Sequence, residues 1–323
     1  MKRLLAAMTA LVLSVGAATP WEWDLPPGVA PPPVPASNAM TAARVELGRR
    51  LFYDADLSAN GTMACAACHE QRRAFADGNA TRPGVHGDPG RRNVPGLANV
   101  AWFSRLTYAD PRITTLEAQV LVPLIGERPV EMGMQGLEAE LPRRLGADPC
   151  YRRMFRKAFP ERQGAIGTAS VTAALAAFER TMVSFRSRFD QGPAAMTPVE
   201  LQGQATFQKA GCASCHSGDL LTDMAYHRLS EPDDRDPGLA ESTGRRDDAG
   251  RFRTPSLRNV AVTGPWWHDG SAKTLEEAVR RHPAPLAEET IPAVTAYLGT
   301  LTDPDFLGDR RLSRPDEACG KRL

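Results

Sequence analysis

The sequence of 323 residues has almost no net charge, no long hydrophobic run and no run of alternating polar and apolar residues. Lys and Arg total 39 against 38 for Asp and Glu, which removes the electrostatic case for a nucleic-acid-binding or polybasic membrane protein. The missing alternation argues against a strand-rich fold. The length is sufficient for one large domain or two ordinary ones.

The longest apolar run, residues 4–15, has the setting of an export signal. It follows a positively charged start, Met1-Lys2-Arg3, and precedes the small residues Gly16-Ala17-Ala18. It is also shorter than the ~20 residues that a membrane-spanning helix needs. This order is typical of a secretory signal peptide. We therefore expect residues 1–18 to be removed and the mature protein to be periplasmic.

Proline and glycine are abundant, with 27 of each, and predict long irregular connections. We expect an extended arm over 19–38, long loops over 76–112 and 231–250, and a linker at Gly192-Pro193. Elsewhere apolar residues recur at helical spacing, in segments 39–52, 116–124, 137–145, 151–159, 171–185, 197–210, 274–281 and 288–301. These features predict a mainly α protein with an N-terminal domain over 19–190 and a C-terminal domain over 191–323.

Two pentapeptides carry the strongest chemical signal, Cys65-Ala66-Ala67-Cys68-His69 and Cys212-Ala213-Ser214-Cys215-His216. In this spacing two thiols form thioethers with the vinyl groups of one haem, and the adjacent histidine binds the iron. With the cysteine and histidine content of this chain, one such pentapeptide arises by chance about 0.002 times per chain, so two copies are not accidental.

Two other uses of these thiols are a disulfide redox motif and half of a zinc site. A zinc site built from both pairs leaves His69 and His216 without a role, and a thioredoxin-like motif needs a βαβ setting that the sequence lacks. The motifs therefore predict two covalently bound haem c groups. The other two cysteines, Cys150 and Cys319, are either a disulfide in an oxidising compartment or two unrelated thiols.

Stretches around both motifs resemble the di-haem cytochrome c peroxidase/MauG family over nearly the whole mature length. They are 47–54 (Leu-Gly-Arg-Arg-Leu-Phe-Tyr-Asp), 252–259 (Phe-Arg-Thr-Pro-Ser-Leu-Arg-Asn) and 265–270 (Pro-Trp-Trp-His-Asp-Gly). Residues 21–28 (Trp-Glu-Trp-Asp-Leu-Pro-Pro-Gly) are similar to the MbnH-type branch, found with methanobactin operons and related copper-protein gene pairs. The resemblance implies two cytochrome-c-like α domains that face each other, with a calcium ion between the haems.

For the first haem, the resemblance implies that Gln119 and Glu131 supply the distal amide and acid. A carboxyl group over the iron can move a proton from the inner to the outer oxygen of peroxide. Glu127 is the alternative acid, and Pro123 matches a proline of the distal wall. We expect His86 to be a loop residue. The alternative is a ligand that closes the site until the partner haem is reduced.

For the second haem, His282 occupies the distal position that is held by methionine in the peroxidases and by tyrosine in MauG-type proteins. Imidazole lowers the reduction potential relative to a thioether and stabilises oxidised iron. Ligation by His216 and His282 would therefore favour storage of oxidising equivalents, and a methionine–iron charge-transfer band would exclude it. Without the resemblance, a histidine before Pro283 is most simply a helix-end residue.

The resemblance also implies residues that lie between the haems. Tyr108 is the best match to the tryptophan that the family places between the haems, and Trp102 is the alternative. Asn93 and the carbonyl groups of Arg253 and Pro255 match the calcium ligands, and calcium prefers such oxygen atoms.

Two adjacent tryptophans, Trp266 and Trp267, belong to the same region of the family pattern. We expect both to pack on the second haem. The alternative is a role in electron transfer with a partner.

Three functions remain. The first is a MauG/MbnH-like enzyme in which hydrogen peroxide gives a high-valent di-haem state that oxidises a secreted partner, converting tryptophan to kynurenine on a copper-binding, MbnP-like protein. The second is a cytochrome c peroxidase that reduces hydrogen peroxide with electrons from a small cytochrome or cupredoxin. The third is a non-enzymatic electron carrier, against which Gln119 and Glu131 argue. His282 and the N-terminal segment favour the first function over the second.

Overall fold

The computed structural model describes residues 21–233 and 235–322. The predicted signal peptide therefore lies outside the described residues. Within those two ranges, no helix is long and apolar enough to cross a membrane.

Helices and irregular segments make up most of the described chain. The α-helices are α1 (Ala42–Phe52), α2 (Cys65–Cys68), α3 (Leu116–Ile125), α4 (Glu140–Ala147), α5 (Pro149–Ala158), α6 (Thr168–Glu179), α7 (Pro198–Lys209), α8 (Ala240–Thr243), α9 (Leu275–Arg280), α10 (Ile291–Gly299) and α11 (Pro304–Gly308). Single 3-10 turns lie at Ala36–Asn38, Ala55–Leu57, Gln71–Arg73, Val100–Trp102, Pro160–Arg162, Pro193–Ala195, Cys212–Ser214, Arg246–Asp248, Val260–Val262 and Glu288–Thr290. Two short antiparallel pairs join β1 (Tyr226–Arg228) to β2 (Arg251–Arg253) and β3 (Glu317–Ala318) to β4 (Lys321–Arg322). The mainly α fold is confirmed.

The same helix crossing occurs twice. In the first copy α1 packs on α6, and a Cβ added at Gly48 would lie 1.9 Å from the carbonyl oxygen of Ala174. In the second copy α7 packs on α10, and a Cβ added at Gly203 would lie 1.9 Å from the carbonyl oxygen of Ala293. Only glycine lets two helix backbones approach this closely. Each crossing joins the helix before a cysteine motif to the last long helix of the same domain.

Each domain also has one buried asparagine in the left-handed backbone region, at an equivalent position. Asn99 (φ 60°) accepts a hydrogen bond on Oδ1 from the backbone N–H of Ser184, at 2.7 Å, just after α6. Asn259 (φ 61°) accepts one from the N–H of Asp303, at 2.9 Å, after α10. Because Asn99 also donates to the Ser184 carbonyl, the chain leaves the helical path early. The helix predicted over 171–185 therefore ends at Glu179.

Each domain has its own apolar core. Phe52, Phe75 and Phe178 lie in the first core, and Phe207 and Tyr297 lie in the second. Each fully buried aromatic side chain contributes about 1.5–3 kcal/mol. The two cores, together with the repeated crossings, agree with the expectation of two similar domains.

The C-terminal residues return from the second domain to the first. Phe306 and Leu312 lie in the first core, and the Phe306 ring centroid is 5.7 Å from that of Phe75. Near the end of the described chain, Cys319 forms a disulfide with Cys150 at the start of α5. The domain boundary predicted at residue 190 places this C-terminal segment in the second domain, although the segment packs on the first.

The two domains face each other through loops. Arg92 of the first domain donates hydrogen bonds to both carboxylate oxygens of Asp236, at 2.8 and 2.6 Å, and to Glu241 at 2.8 Å. The backbone N–H of Arg253 donates to the carbonyl of Tyr108 at 2.9 Å. The proline- and glycine-rich segments that were predicted to be irregular therefore build the contact between the domains.

Candidate functional site

The first cysteine motif forms the short helix α2 and ends at His69, whose ring is fixed by the backbone. His69 Nδ1 lies 2.6 Å from the carbonyl oxygen of Phe75. With the proton on Nδ1, the Nε2 atom is free to bind a metal. Burial lowers the pKa of His69, so its imidazole is neutral, the form that ligates iron.

The thiols of this motif do not resemble nucleophilic cysteines. Cys65 and Cys68 are not in a disulfide. Burial raises the pKa of the Cys65 thiol and raises that of Cys68 to about 11, whereas nucleophilic thiols have lowered pKa values. Thioether attachment uses neutral sulfur, so it fits this environment.

The residues expected on the distal side of the first haem lie on α3 and in the loop that follows it. This loop is tied to the end of α3 because the Met132 N–H donates to the carbonyl of Pro123 at 2.9 Å. Gln119 lies half-buried on α3, one turn before Pro123. Glu131 lies close enough to the motif for its charge to raise the pKa of Cys65 and Cys68, and its own pKa is raised by burial.

The second motif borders a cavity of about 570 Å³, within the roughly 300–1,000 Å³ range of cofactor sites. His216 lies on one wall, and its Nδ1 is 3.3 Å from the carbonyl oxygen of Leu221. His282 lies on the opposite wall, where the chain leaves α9, and its Nδ1 is 2.8 Å from the carbonyl oxygen of Ala278. Thr274 accepts a hydrogen bond from the Glu277 N–H and caps α9.

The separation of the two histidines fits one metal ion between them. Two imidazoles that bind opposite sides of an ion by Nε2, at about 2.0 Å each, have ring centroids about 6.2–6.4 Å apart. The centroids of His216 and His282 are 6.4 Å apart. Burial lowers the pKa of His216 to about 4 and also lowers that of His282, so both rings are neutral. The residues therefore fit a haem whose iron has two histidine ligands.

Comparison with known proteins identifies the family of the chain. The family model described as di-haem cytochrome c peroxidase matches residues 42–195, and the cytochrome c model matches residues 201–302. The cytochrome-c peroxidase IdrP1 of Denitromonas iodatirespirans is 35% identical, over 85% of this chain and 82% of that protein. The methylamine utilization protein MauG of Methylorubrum extorquens is 37% identical, over 76% of this chain and 69% of that protein.

The chain belongs to the di-haem cytochrome c peroxidase/MauG family. Its fold also matches the crystal structure of a MauG-like protein associated with microbial copper homeostasis, with a TM-score of 0.85 and 38% identity over 91% of this chain and 99% of that one. Members of this family are peroxide-dependent di-haem oxidoreductases. The protein is accordingly such an enzyme, with haem c attached at both motifs.

Four residues assigned from the resemblance lie around the second haem cavity. Tyr108 and Asn93, from the first domain, line the cavity together with Arg253 and Pro255 from the second. Burial raises the pKa of Tyr108, so the phenol is neutral. Tyr108 therefore lines this cavity from the side of the first domain.

The alternatives named for the first site lie at the surface. Glu127 and His86 are both exposed. The segment that carries His86 pairs with the Glu131 loop, since the Val85 N–H donates to the Glu131 carbonyl at 2.7 Å. A Cβ added at Gly133 would lie 3.1 Å from His86 Nε2, which places the ring beside the same loop.

Both tryptophans of the second domain line the second cavity. Trp267 contacts His282 edge to face, with ring centroids 5.5 Å apart. The indole N–H of Trp266 donates to the carbonyl of Val260 at 2.9 Å. Their packing on the haem site follows the expectation from the sequence.

One buried acid was missed by the sequence reasoning. Glu179, at the end of α6, is fully enclosed, and burial raises its pKa to about 8. Among the described residues, its Oε2 atom has no hydrogen-bond partner, and its charge raises the pKa of Cys65. The sequence feature that could have revealed it is a glutamate directly after the apolar segment 171–178. A glutamate is unusual on a buried helix face.

Proposed function

We propose that the enzyme uses hydrogen peroxide to oxidise a secreted, copper-binding protein partner and converts a tryptophan of that partner to kynurenine. The observation that carries the proposal is the pairing of His216 and His282 across the second cavity. Similarity to a MauG-like protein associated with microbial copper homeostasis favours a copper-binding partner. Haem c at the two motifs supplies peroxide binding and one-electron chemistry.

Glu131 is the proposed proton carrier at the first site. Its carboxyl group is largely enclosed, and burial raises its pKa. It therefore takes up and releases a proton nearer to neutral pH than an exposed glutamate does, which suits transfer between the two peroxide oxygens. The amide of Gln119, which has both a donor and an acceptor, orients the peroxide.

His282 separates this function from that of a peroxidase that is fed by small electron carriers. A methionine ligand raises the reduction potential of a haem site, whereas a second imidazole keeps it lower. At a low potential, reduction of the second site by a small cytochrome or cupredoxin is unfavourable. The electrons for peroxide reduction then come from the oxidised partner.

The proposed conversion balances with peroxide as the only oxidant. Tryptophan and two molecules of hydrogen peroxide give N-formylkynurenine and two molecules of water. Hydrolysis of N-formylkynurenine then releases formate and leaves kynurenine. Each peroxide accepts two electrons, so the four-electron oxidation of the indole ring consumes two peroxides.

The proposal is tested with the as-isolated holoenzyme, in which both haems are ferric. It is mixed with hydrogen peroxide, without reductant, and with a purified secreted copper-binding protein as the candidate partner. Mass spectrometry of partner peptides should detect kynurenine only when peroxide is present. In a His282→Met variant, peroxide consumption should require a reductant. If the unaltered enzyme consumes no peroxide until a reductant is added, it is a cytochrome c peroxidase.

We also propose a calcium ion bound near Asn93. The Asn93 Nδ2 atom donates to the carbonyls of Asn79 and Ala80, at 3.0 and 3.1 Å, which leaves its Oδ1 as an oxygen ligand. The carbonyls of Arg253 and Pro255 are the further ligands expected from the resemblance. Elemental analysis should detect calcium in the dialysed holoenzyme and a reduced content in Asn93→Ala. Equal calcium contents would refute this site.

The proposed compartment is the periplasm. N-terminal sequencing of the exported protein should begin at Thr19, directly after the predicted signal peptide. A mature protein that retains residues 1–18 would contradict this assignment.

A further inference from the structure

A second, more open cleft of about 750 Å³ lies between the two domains. Residues that follow the first haem motif, including Arg72, Arg73 and Asn79, form one side. Trp266 and Lys273 of the second domain form the other. Among them, Arg72, Asn79 and Lys273 are exposed, so a large molecule can reach the cleft from solvent.

The cleft carries an excess of positive charge. Its lining has three cationic side chains, Arg72, Arg73 and Lys273, and no carboxylate. Glu70 lies beside it and pairs with both arginines, at 2.5 and 3.1 Å. The Lys273 ammonium group donates to the backbone carbonyl of Gly270 at 2.7 Å. The two arginines therefore share one carboxylate, in a chain that is otherwise almost neutral.

The wall between this cleft and the second haem cavity is thin. Pro265 and Trp266 line both spaces. The Trp266 ring is held in place by its hydrogen bond to Val260 and by Gly264, where an added Cβ would lie 2.6 Å from the ring. A side chain bound in the cleft is therefore separated from the haem cavity by the indole ring and the adjacent proline.

We propose that this cleft is the docking site for an acidic segment of the protein partner. The proposal rests on the proposed function, because it assigns the surface at which that partner binds. Opposite charges on the two proteins raise the rate of association and fix their orientation. A carboxylate-rich segment placed here brings the partner to Pro265 and Trp266, which also line the second haem cavity.

Binding is tested on the holoenzyme without peroxide, so that it is measured separately from turnover. The probe is a fluorescently labelled heptapeptide with one tryptophan between two runs of three glutamates. Its lysine counterpart is the control peptide. We expect the acidic peptide to bind with an affinity that falls as salt is added, and the lysine peptide to bind much more weakly.

Charge reversal locates the site. Arg72→Glu combined with Lys273→Glu should weaken binding of the acidic peptide roughly tenfold at low ionic strength. Arg310→Glu, at a highly exposed arginine that does not line the cleft, should leave binding unchanged. Haem absorption spectra and melting temperatures of the variants show whether they are folded.

Each result decides the proposal. Salt-sensitive binding that is lost in the double variant supports it. Equal binding of both peptides, or an unchanged affinity in the double variant, overturns it. The double variant could also shift the reduction potential of the second haem and leave the affinity for the peptide unchanged. In that case the cations bind the carboxylates of the haem itself, and the proposal is wrong. If the acidic peptide binds as expected but peroxide produces no kynurenine in the partner protein, the docking site stands and the proposed function fails.

Discussion

Replacing Gly203 with alanine should force the two helices of the second crossing apart. The added Cβ would lie 1.9 Å from the carbonyl oxygen of Ala293, although real Cβ atoms essentially never approach other atoms within 3.0 Å. The obstructing atoms belong to the backbone of α10, so no side chain can turn away to make room. The helices must therefore separate by about 1 Å. A gap of about 0.5–1 Å removes a quarter to a half of the dispersion attraction between facing atoms.

The magnitude follows from two opposing effects. Overpacking a core costs ~1–3 kcal/mol, and the upper end applies because backbone meets backbone and the buried Phe207 and Tyr297 lose contacts. The higher helix propensity of alanine returns ~1 kcal/mol. We expect a net loss of about 2 kcal/mol in the free energy of unfolding. In a domain of about 100 residues, this lowers Tm by roughly 8 °C.

The assay is thermal unfolding of the holoenzyme, followed by circular dichroism in the haem absorption band. Gly299→Ala is the matched control, because Gly299 lies on the same helix α10 and no atom lies within 4 Å of its added Cβ. The control should melt at or slightly above the temperature of the unaltered protein. If the two variants melt within about 2 °C of each other, the close approach at Gly203 does not limit the packing of this domain.

Three further predictions concern the first domain. Replacing both Cys150 and Cys319 with serine should lower the free energy of unfolding by about 2–5 kcal/mol in chemical denaturation, because the disulfide closes a loop with a sequence separation of 169. Unchanged stability would show that the C-terminal residues stay packed on the first domain without the disulfide. Burial raises the pKa of Glu179 from 4.5 to about 8, so the folded state binds the proton of this carboxyl group more tightly than the unfolded state does. The stability that comes from this difference is fully present below about pH 4.5 and is lost as the pH rises through 8. Glu179→Gln should therefore raise Tm more at pH 8 than at pH 5, and an equal change at both pH values would count against a buried acid. Glu131→Gln should slow peroxide consumption about 10²–10⁴-fold in stopped-flow measurements while the spectrum of the second haem stays unchanged, and a normal rate would remove Glu131 from the mechanism.

Local sequence signals predicted the parts of the fold that depend on neighbouring residues. The helical segments were found because apolar residues recur with the helix period. The two haem motifs are complete within five residues each, so their chemistry was readable without any tertiary structure.

Features that depend on distant residues were not predictable in this way. The end of α6 is set by Asn99, about 80 residues earlier in the chain, which binds the backbone of Ser184. Periodicity alone could not place that end. The burial of Glu179 likewise depends on the packing of α6 against α1 and α3. His282 was located by family resemblance, but its position opposite His216 depends on how α9 closes over the cavity.

The return of the C-terminus to the first domain closes the chain into a covalent loop through both domains. The two haem domains are joined covalently at two places, once through the linker near Gly192 and once through the disulfide between Cys150 and Cys319. A protease that cuts the linker therefore cannot release either half, and the fragments separate only after reduction. Completion of the first domain must also await synthesis of the last residues of the chain, because Phe306 and Leu312 belong to its core.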